Sequence, residues 1–376
     1  MNDILISGAG IAGPALAHCL RHRGFRVTVV ERTAAPREGG QAVDVRGVAL
    51  DVVDRMGLGE PVRAARTRIK GMSMVDGAGT ELFRSEEFAY TSGRLDSEDV
   101  ELLRDDLIAM LHEATKDSVE YVFDDSITAL HQEETSVRVE FEHGGFRTFD
   151  LVIGADGAWS RTRSAVSPAT PHYTGVTSVE TSLDDVDTRH PDLARLIGDG
   201  SVAVYGVNRG LVAQRNSGGH VKVGAKFRAP LDWHTDLDLA DVEVVRSSLL
   251  TLFDGWAAPV LDLLRRGTAF VHRPLYVLPV SHTWVHVPGV TLLGDAAHLM
   301  PPLGAGANLA MLEGAELGES LAAAGPDELD DAVRAFEERM WARAGKWART
   351  TADGLERLVS PDPAEALAVF DEVQPA

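Results

Sequence analysis

Hydrophobic positions along the chain follow two periodicities that separate strands from helices. Short apolar runs predict buried strands at Ile4 to Ser7, Arg26 to Glu31, Leu151 to Gly154 and Gly289 to Leu293. After the first run, apolar residues recur at helical spacing until about Gly24. Strands that alternate with helices are typical of a parallel sheet covered by helices. The pattern therefore predicts an α/β fold that begins with a Rossmann-like domain.

The middle of the chain, from about Thr174 to Pro279, has a different pattern. Apolar and polar positions alternate there, which predicts the strands of an antiparallel sheet. The predicted elements are strands at Val202 to Val207, Gly210 to Asn216, Val221 to Arg228 and Thr268 to Leu278, and helices from about Asp241 to Phe253 and Val260 to Arg265. We interpret this segment as a second domain inserted into the first.

The rest of the pattern predicts further loops, strands and helices. They are an extended loop over residues 34–48, two short strands over residues 72–95, a helix from about Ser97 to Ala114, three antiparallel strands from Val119 to Phe149, and a C-terminal helix. The loop contains Gly39, Gly40 and Gln41. The apolar stripe of the C-terminal helix includes Leu329, Phe336, Met340, Trp347 and Thr351. Trp341 and Trp347 are expected to pack rather than to contact a ligand.

These elements predict a discontinuous organisation. The first domain comprises residues 1–71, 96–173 and 280–325, and the inserted domain comprises residues 72–95 and 174–279. Residues 326–376 form a C-terminal helical segment long enough to bridge the two.

Composition narrows the possible partners. The 376 residues include 36 basic and 57 acidic side chains, and the net charge of −21 argues against nucleic acid or an anionic membrane. No apolar run reaches the length of a membrane span, and Met1 leads almost directly into a strand without a signal-peptide pattern. The single cysteine, Cys19, is expected to be a small buried hydrophobe. We expect a cytoplasmic protein that is a monomer or a homodimer.

A glycine-rich turn follows the first strand. Gly8, Gly10 and Gly13 form a G-x-G-x-x-G before the first helix, and the second strand ends at Glu31. The first two glycines let the backbone approach a pyrophosphate, the third lets helix and strand pack, and Glu31 can accept hydrogen bonds from ribose hydroxyls. An acid at this position disfavours a 2′-phosphate, so the pattern predicts tightly held FAD or NAD rather than NADP.

Two further strands end in a glycine and a carboxylate. Asp156 lies in a G-x-D-G-x-x-S-x-x-R pattern that Ser160 and Arg163 complete, and Asp295 follows Gly294. Open α/β sheets bind ligands at this edge, so one long ligand laid across a single sheet is expected.

The stretch after Asp295 is also distinctive. Two prolines, Pro301 and Pro302, precede a glycine-rich turn and a predicted helix from about Ala307 to Leu321. The N-terminus of that helix suits a ligand that becomes anionic during its working cycle. Taken alone, the stretch is also compatible with a strand-to-helix turn that binds nothing.

Two arginines are candidates for binding an anion. Arg46, in the extended loop, could reach a cofactor phosphate or a nicotinamide cofactor, and a solvated side chain is the alternative. Arg104 lies near the edge of an apolar helix face, where an arginine is costly unless it is paired with an anion or a carboxylate.

The sequence thus contains three motifs: the turn at Gly8 to Gly13, the pattern around Asp156 and the stretch that begins at Gly294. In their order and spacing they resemble the motifs of the group A flavin monooxygenases, typified by para-hydroxybenzoate hydroxylase. In length and in its C-terminal helix the chain looks most like the tetracycline-degrading flavin monooxygenases. The resemblance implies that Asp295 binds the ribityl hydroxyls of FAD, that Arg104 contacts the ribityl–phosphate region and that Asp156 serves both FAD and transient NAD(P)H binding. The residues expected at the cofactor are Gly8, Gly10, Gly13, Glu31, Arg32, Arg46, Arg104, Asp156, Asp295, Pro302, Gly304, Gly306, Ala307 and Asn308, of which Pro302 and Gly304 lie near the isoalloxazine.

The resemblance also implies a reaction. NADPH or NADH reduces FAD, the reduced flavin traps O2 as a C4a-hydroperoxide, and one oxygen passes to a bulky aromatic or polyketide-like molecule, with tetracycline-type antibiotics among the candidates. Because the flavin supplies this chemistry, no catalytic side chain and no metal is expected. The pairs His18/His22 and His282/His286 have no third ligand at a familiar spacing.

The substrate pocket is expected in the inserted domain, roofed over the flavin. Its polar candidates are Tyr205, Gln214, Arg215 and Lys222, and strand alternation lets only one of Gln214 and Arg215 face inward. An inward Lys222 could hold an enolate or phenolate, whereas an outward one has no role. The chain departs from its tetracycline-degrading relatives here, because Lys222 lies on the strand where they carry a substrate-contacting histidine, and Leu303 to Asn308 replaces their usual Gly-Gln-Gly turn.

Other classes share this fold. A flavin halogenase would need a tunnel lysine and a Trp-x-Trp-x-Ile-Pro segment, which Trp284 to Pro288 only half resembles. An isoprenoid reductase is a further enzymatic alternative. A non-enzymatic, flavin-bound sensor would oxidise NAD(P)H slowly, without stimulation by any ligand.

Overall fold

The computed structural model describes residues 2–35, 42–66, 71–86, 100–216, 219–325 and 328–362. The chain divides into two compact units. Unit 1 comprises residues 1–66, 98–172 and 276–352, and unit 2 comprises residues 67–97, 173–275 and 353–376. Each unit is therefore assembled from three separate stretches of the chain.

Both units contain β-sheet. The strands are β1 Asn2–Ser7, β2 Phe25–Glu31, β3 Ala42–Val45, β4 Met72–Asp76, β5 Glu81–Ser85, β6 Val100–Leu103, β7 Glu120–Phe123, β8 Ile127–Gln132, β9 Val137–Phe141, β10 Phe146–Phe149, β11 Leu151–Gly154, β12 His172–Leu183, β13 Ser201–Gly206, β14 Arg209–Arg215, β15 Val221–Arg228, β16 Val271–Val277 and β17 Val290–Leu292.

The helices lie between some of these strands and after the last one. They are α1 Ala12–Leu20, α2 Val48–Arg55, α3 Gly59–Ala64, α4 Arg104–Glu113, α5 Val186–Arg189, α6 Pro191–Ile197, α7 Val242–Leu252, α8 Ala258–Arg265, α9 Asp295–His298, α10 Gly306–Ala323 and α11 Leu329–Leu358, with a 3₁₀ turn at Thr162–Ala165. Among the described helices, none combines the length and the apolar character that a bilayer crossing requires.

Unit 1 contains a five-stranded parallel sheet in the order β17-β11-β1-β2-β7. The four apolar runs predicted as buried strands all belong to it, and the α/β fold class is confirmed. The prediction of three antiparallel strands from Val119 to Phe149 was partly wrong. Glu120–Phe123 extends the parallel sheet beside β2, and the antiparallel strands β8, β9 and β10 form a separate sheet.

Two other predictions in unit 1 need correction. The expected loop over residues 34–48 contains β3, and residues 36–41 lie outside the described residues. The helix expected from Ser97 begins only at Arg104, because Val100–Leu103 pairs antiparallel with β3 instead. Residues 87–99, which include the end of the second predicted short strand, lie outside the described residues.

Helices α1 and α10 pack closely against each other beside the parallel sheet. A Cβ placed on Gly314 would lie 2.9 Å from the backbone nitrogen of Leu16, and one on Gly318 would lie 2.5 Å from Cβ of Cys19. The two glycines therefore allow a close helix contact. Cys19 was predicted to be buried, but it is half-buried. Partial burial raises the pKa of its thiol to about 11.

The stripe on α11 is confirmed with one change. Val333, Phe336 and Met340 are buried in the core of unit 1, but Trp347 is 38% exposed and Ala348 takes the buried position. Trp341 packs edge-on against Trp284 with ring centroids 5.2 Å apart.

Unit 2 contains a seven-stranded sheet in the order β16-β12-β15-β14-β13-β4-β5. Helices α6, α7 and α8 cover one face, where Val204, Leu211, Val223, Phe227 and Leu249 form part of a buried cluster. The predicted strands and two helices of this segment are present, but the sequence pattern missed the helices α5 and α6 and the full length of β12. We call the opposite side of this sheet, which carries Ser178, Glu180, Tyr205, Gln214, Lys222, Gly224 and Lys226, the polar face.

Candidate functional site

Three loops of unit 1 meet at one edge of its parallel sheet. They follow β1, β11 and β17, which are neighbouring strands, and they contain Gly8 to Gly13, Asp156 and Asp295. Because the strands are parallel, their carboxyl ends lie at the same edge. The structure therefore brings together the three motifs that the sequence separates by more than a hundred residues.

The loop after β1 combines tight packing with open space. A Cβ on Gly8 would lie 2.3 Å from the carbonyl oxygen of Ala155, and one on Gly13 would lie 1.9 Å from the carbonyl oxygen of Gly8. In contrast, a Cβ on Gly10 would meet nothing within 4 Å. Gly8 and Gly13 are thus required by the protein itself, whereas Gly10 leaves room for a ligand at the N-terminus of α1, where free N–H groups favour a phosphate.

Glu31 lies beside this loop at the end of β2. One carboxylate oxygen accepts a hydrogen bond from the Ala9 amide at 2.9 Å, and the other accepts from the Thr33 amide and hydroxyl at 3.1 Å each. These bonds hold the carboxylate at the sheet edge, and its remaining lone pairs can accept ribose hydroxyls. Arg32, the next residue, is exposed.

Asp295 begins the single helical turn α9, which sequence analysis did not predict. Its carboxylate is half-buried and receives no hydrogen bond from any residue within the described ranges. Gly306, the first residue of α10, lies close by, since a Cβ placed there would be 3.7 Å from Oδ1 of Asp295. The carboxylate therefore remains available to ligand hydroxyls beside a helix N-terminus.

A buried ion pair lies behind Asp295. Nε2 of His298 donates to both carboxylate oxygens of Glu313, at 2.7 and 2.8 Å, and Glu313 also accepts the Gly294 amide at 2.9 Å. Burial acts to lower the pKa of His298, but the charge of Glu313 and its hydrogen bond outweigh it, so the pKa is raised above the ordinary value. This pair fixes the turn that presents Asp295.

Arg46 and Asn308 join β3 to the start of α10. The Arg46 amide donates to Oδ1 of Asn308 at 3.1 Å, Nη2 of Arg46 donates to the Gly304 carbonyl at 3.3 Å, and Nδ2 of Asn308 donates to the Asp44 carbonyl at 2.7 Å. Nη1 of Arg46 is buried and has no hydrogen-bond partner within the described ranges. An unsatisfied buried donor of this kind is costly, and an oxygen of a bound ligand would satisfy it.

Asp156 has a local role in this structure. Its carboxylate accepts hydrogen bonds from the Ser160 hydroxyl, the amides of Arg161 and Thr162, and the Thr162 hydroxyl. These bonds cap the turn after β11, which leaves the expected contact with FAD or NAD(P)H a prediction.

Arg163 links the second and third loops. This side chain is 3% exposed, and it donates from Nε to the Ala296 carbonyl at 2.7 Å and from Nη2 to the Ala158 and Asp295 carbonyls at 2.9 and 3.1 Å. Burial lowers its pKa, and the carboxylates of Asp156 and Asp295 oppose that effect.

The other residues expected at the cofactor are exposed or half-buried. Arg104 is the exposed first residue of α4, and Pro302 is exposed in the turn before α10. Gly304 has a φ of 87°, which favours glycine there, and Gly306 and Ala307 are half-buried in the first turn of α10.

The His282/His286 pair and the segment around Trp284 bind other groups of the protein. His282 contacts the Ser167 hydroxyl and the Ala297 carbonyl, while His286 and Trp284 both bind Glu337, which is fully buried. The half-resemblance to the halogenase segment thus corresponds to a buried polar network. In the described ranges, no group of three or more His, Cys, Asp or Glu side chains is placed to share a metal ion.

Unit 2 separates the predicted substrate residues between the two sides of its sheet. Arg215 lies on the helix-covered side, where it donates to the Asp187 carboxylate and the Gly198 carbonyl. Tyr205, Gln214 and Lys222 lie on the polar face, as the strand register requires. Of the adjacent pair, Gln214 therefore shares a side with Lys222, and Arg215 has a structural role.

Several polar residues at the sheet edge of unit 1 and on the polar face of unit 2 had no role predicted from the sequence. They are Arg163, His298, Glu313, Glu180 and Lys226. Glu313 could have been found as a lone acid within the apolar pattern of α10, and Lys226 from its spacing of four residues from Lys222, which places both on one side of a strand.

The parallel sheet and the three loops at its edge are typical of dinucleotide-binding proteins. Residues 1–214 and 281–339 match the family described as FAD binding domain, and the chain belongs to that family. The predicted kinship with FAD-dependent monooxygenases is confirmed, and the protein is an enzyme of that class.

The chain is similar to several known proteins and solved structures. An uncharacterized protein of Mycobacterium tuberculosis is 38% identical over 341 residues, 87% of each chain. A flavin-dependent monooxygenase of Legionella longbeachae is 31% identical over 82% of this chain and 77% of its own. The crystal structure of tetracycline destructase Tet(51) covers 99% of this chain and 95% of its own, with a TM-score of 0.72 and 26% identity. HpxO of Klebsiella pneumoniae, complexed with FAD and uric acid, shares the fold with a TM-score of 0.82 at 22% identity over 99% of this chain and 92% of its own.

Proposed function

We propose that the protein is a hydroxylase that uses NADPH or NADH and O2 to oxidise a bulky aromatic or polyketide-like molecule, with tetracycline-type antibiotics among the candidates. The observation that carries the proposal is the carboxylate of Asp295, half-buried at the ligand-binding edge of the sheet with no donor among the described residues. Monooxygenases among the relatives, and tetracycline destructases among the similar structures, support the reaction class and the candidate substrates.

The residues of unit 1 fit FAD along its length. The open space at Gly10 and the N-terminus of α1 would hold the pyrophosphate, Glu31 the adenosine ribose, and Asp295 the ribityl hydroxyls. The unsatisfied Nη1 of Arg46 would donate to an oxygen of the cofactor or of the nicotinamide donor. When bound, FAD supplies the hydride acceptance and the activation of O2.

The N-terminus of α10 adds an electrostatic contribution. This helix has 18 residues, and its first turn carries Gly306 beside the Asp295 carboxylate. Its free amides and its dipole would stabilise negative charge on a reduced ring system.

The proposal includes the cytoplasmic location expected from the sequence, because both nicotinamide donors are cytoplasmic metabolites.

A ligand screen tests the function. The purified protein is denatured and the released flavin is identified, and we expect FAD rather than FMN. Oxidation of NADPH and of NADH is then followed with tetracycline, hydroxyanthraquinones and simple phenols. At least one ligand should stimulate oxidation and give a product heavier by one oxygen in mass spectrometry.

The alternatives predict other outcomes. A product that gains chlorine in the presence of chloride would indicate a halogenase. A ligand that gains two hydrogens would indicate a reductase of the isoprenoid type. Slow oxidation of both donors, unchanged by every ligand, would refute the hydroxylase and favour a flavin-bound sensor.

A further inference from the structure

The polar face of unit 2 has a recess at Gly224. In the antiparallel register of β12 and β15, Glu180 lies opposite Gly224 and Ser178 lies opposite Lys226, while Lys222 is two residues from Gly224 on the other side. Side chains at alternate positions of a strand point the same way and are about 7 Å apart. Because Gly224 has no side chain, it leaves a gap that Lys226 and Ser178 border, with Lys222 two residues away on the same side of the strand.

Two hydrogen-bond donors border this gap, and neither has a partner among the described residues. Nζ of Lys226 lies 3.4 Å from the point that a Cβ on Gly224 would occupy, and Oγ of Ser178 lies 3.8 Å from the same point. Ser178 is 2% exposed, and no residue that the structure describes forms a hydrogen bond with its hydroxyl. Over the described part of the chain, Nζ of Lys226 forms no hydrogen bond or ion pair. Burial lowers the pKa of Lys226, with Glu180 acting to raise it and Lys222 to lower it.

The carboxylate of Glu180 is committed to two other cations. Its Oε2 lies 3.2 Å from Nζ of Lys222 and accepts from Nε of Arg273 at 2.8 Å. Lys222, Lys226 and Arg273 carry three positive charges around the one negative charge of Glu180, which leaves a local excess of two. The chain as a whole has a net charge of −21. A local cationic excess in an acidic protein favours an anionic ligand.

We propose that the recess over Gly224 binds an ionised oxygen of the substrate, with Lys226 and Ser178 as its donors. The ligand is a planar aromatic or polyketide-like molecule that carries an enolate, a phenolate or a carboxylate. The inference rests on the proposed function, which supplies the aromatic class. Ionisation of an enol or phenol also raises the electron density of the adjacent carbons, which is what a hydroxylating reaction requires.

The geometry assigns this contact to Lys226 rather than to Lys222. Lys222 is already paired with Glu180, so it positions that carboxylate and adds to the local potential. Lys226 is half-buried with its ammonium beside Gly224, and among the described residues it has no anionic partner at ion-pair distance. A partly desolvated charge without a partner favours a ligand that supplies one.

Binding of matched probes to the FAD-loaded protein tests the proposal. The oxyanion probes at pH 8 are 7-hydroxycoumarin, 2-naphthoate and tetracycline, and the neutral analogues are 7-methoxycoumarin and 2-naphthamide. Wild-type protein should bind at least one oxyanion at least about tenfold more tightly than its neutral analogue. Lys226→Met should weaken that oxyanion by about 10- to 100-fold and leave the neutral analogue within about twofold.

Further variants exclude a general loss of structure. Lys226→Arg keeps the cation and should retain part of the oxyanion preference, while Ser178→Ala and Gly224→Ala should each reduce it. Lys116→Met removes the same charge from an exposed lysine of unit 1, paired with Glu113, and should change nothing. If 7-hydroxycoumarin binds, its absorbance should move toward the phenolate form in wild type but not in Lys226→Met.

The outcomes separate this site from the proposed function. Neutral and ionised probes that bind equally, or an oxyanion preference that survives in Lys226→Met, would overturn the site. If ligands still stimulate NAD(P)H oxidation in that case, the hydroxylase stands without the site. An oxyanion preference that depends on Lys226 but is accompanied by no stimulated oxidation would retain the site and refute the hydroxylase.

Discussion

Removal of the Asp295 carboxylate should separate cofactor binding from folding. The backbone of this turn is held by groups other than the side chain, since Arg163 binds the Asp295 carbonyl and Glu313 binds the Gly294 amide. The side chain itself has no donor among the described residues. Asp295→Ala should therefore leave the apoprotein fold intact.

The expected loss of affinity follows from hydrogen bonding to ribityl hydroxyls. A hydrogen bond to a charged group contributes about 1.5–3 kcal/mol. Loss of one such bond corresponds to FAD affinity lower by about one to two orders of magnitude. Titration of apoprotein with FAD, followed by quenching of flavin fluorescence, measures the change directly.

A matched control is available on the surface of unit 1. Asp117 is exposed after α4, so Asp117→Ala removes the same charge without touching the site. Both variants should give apoproteins with the melting temperature of the parent. If Asp295→Ala retains the parent's FAD affinity, or if its apoprotein is strongly destabilised, the reasoning that assigns this carboxylate to the cofactor is wrong.

Three further predictions follow from the same contacts. Gly13→Ala forces a Cβ to within 1.9 Å of a backbone oxygen and should cost at least about 2 kcal/mol of unfolding free energy in urea, whereas Gly10→Ala should keep the stability and weaken FAD. His298→Gln breaks the buried pair with Glu313 and should destabilise the protein by about 3–5 kcal/mol. The pKa of His298 is raised in the folded protein, so the unfolding free energy lost in His298→Gln should be largest below about pH 6.5 and decrease as pH rises through the folded pKa. A loss of unfolding free energy that increases with pH would contradict the assignment. Lys222→Met should leave FAD content unchanged, weaken substrate binding moderately and increase the hydrogen peroxide released per NAD(P)H, and unchanged affinity and coupling would leave Lys222 without a role at the site.

The motifs were predictable because their causes are local. Gly8 and Gly13 are required by backbone contacts within one loop, and a strand that ends in glycine and an acid can be recognised from a few residues. Asp295 could therefore be placed at the sheet edge before the structure was known.

The errors arose where a distant part of the chain decides the local structure. Leu102 has an apolar neighbour pattern that suits a helix, yet its segment pairs with β3, almost sixty residues earlier. Glu120–Phe123 alternates like an antiparallel strand, yet its neighbour in the sheet is β2. Local periodicity contains no information about such partners. The same limit explains why the pairing of Lys222 with Glu180, and the position of Lys226 beside Gly224, became visible only with the strand register.

Arg163 has a consequence for attempts to modify this enzyme. Its guanidinium fastens the loop after β11 to the backbone of the loop after β17, so the two loops share one anchor. A substitution that shifts either loop is therefore expected to displace the other. Grafting a related enzyme's Asp295 loop into this chain should succeed only when the donor's residues around Arg163 are transferred with it.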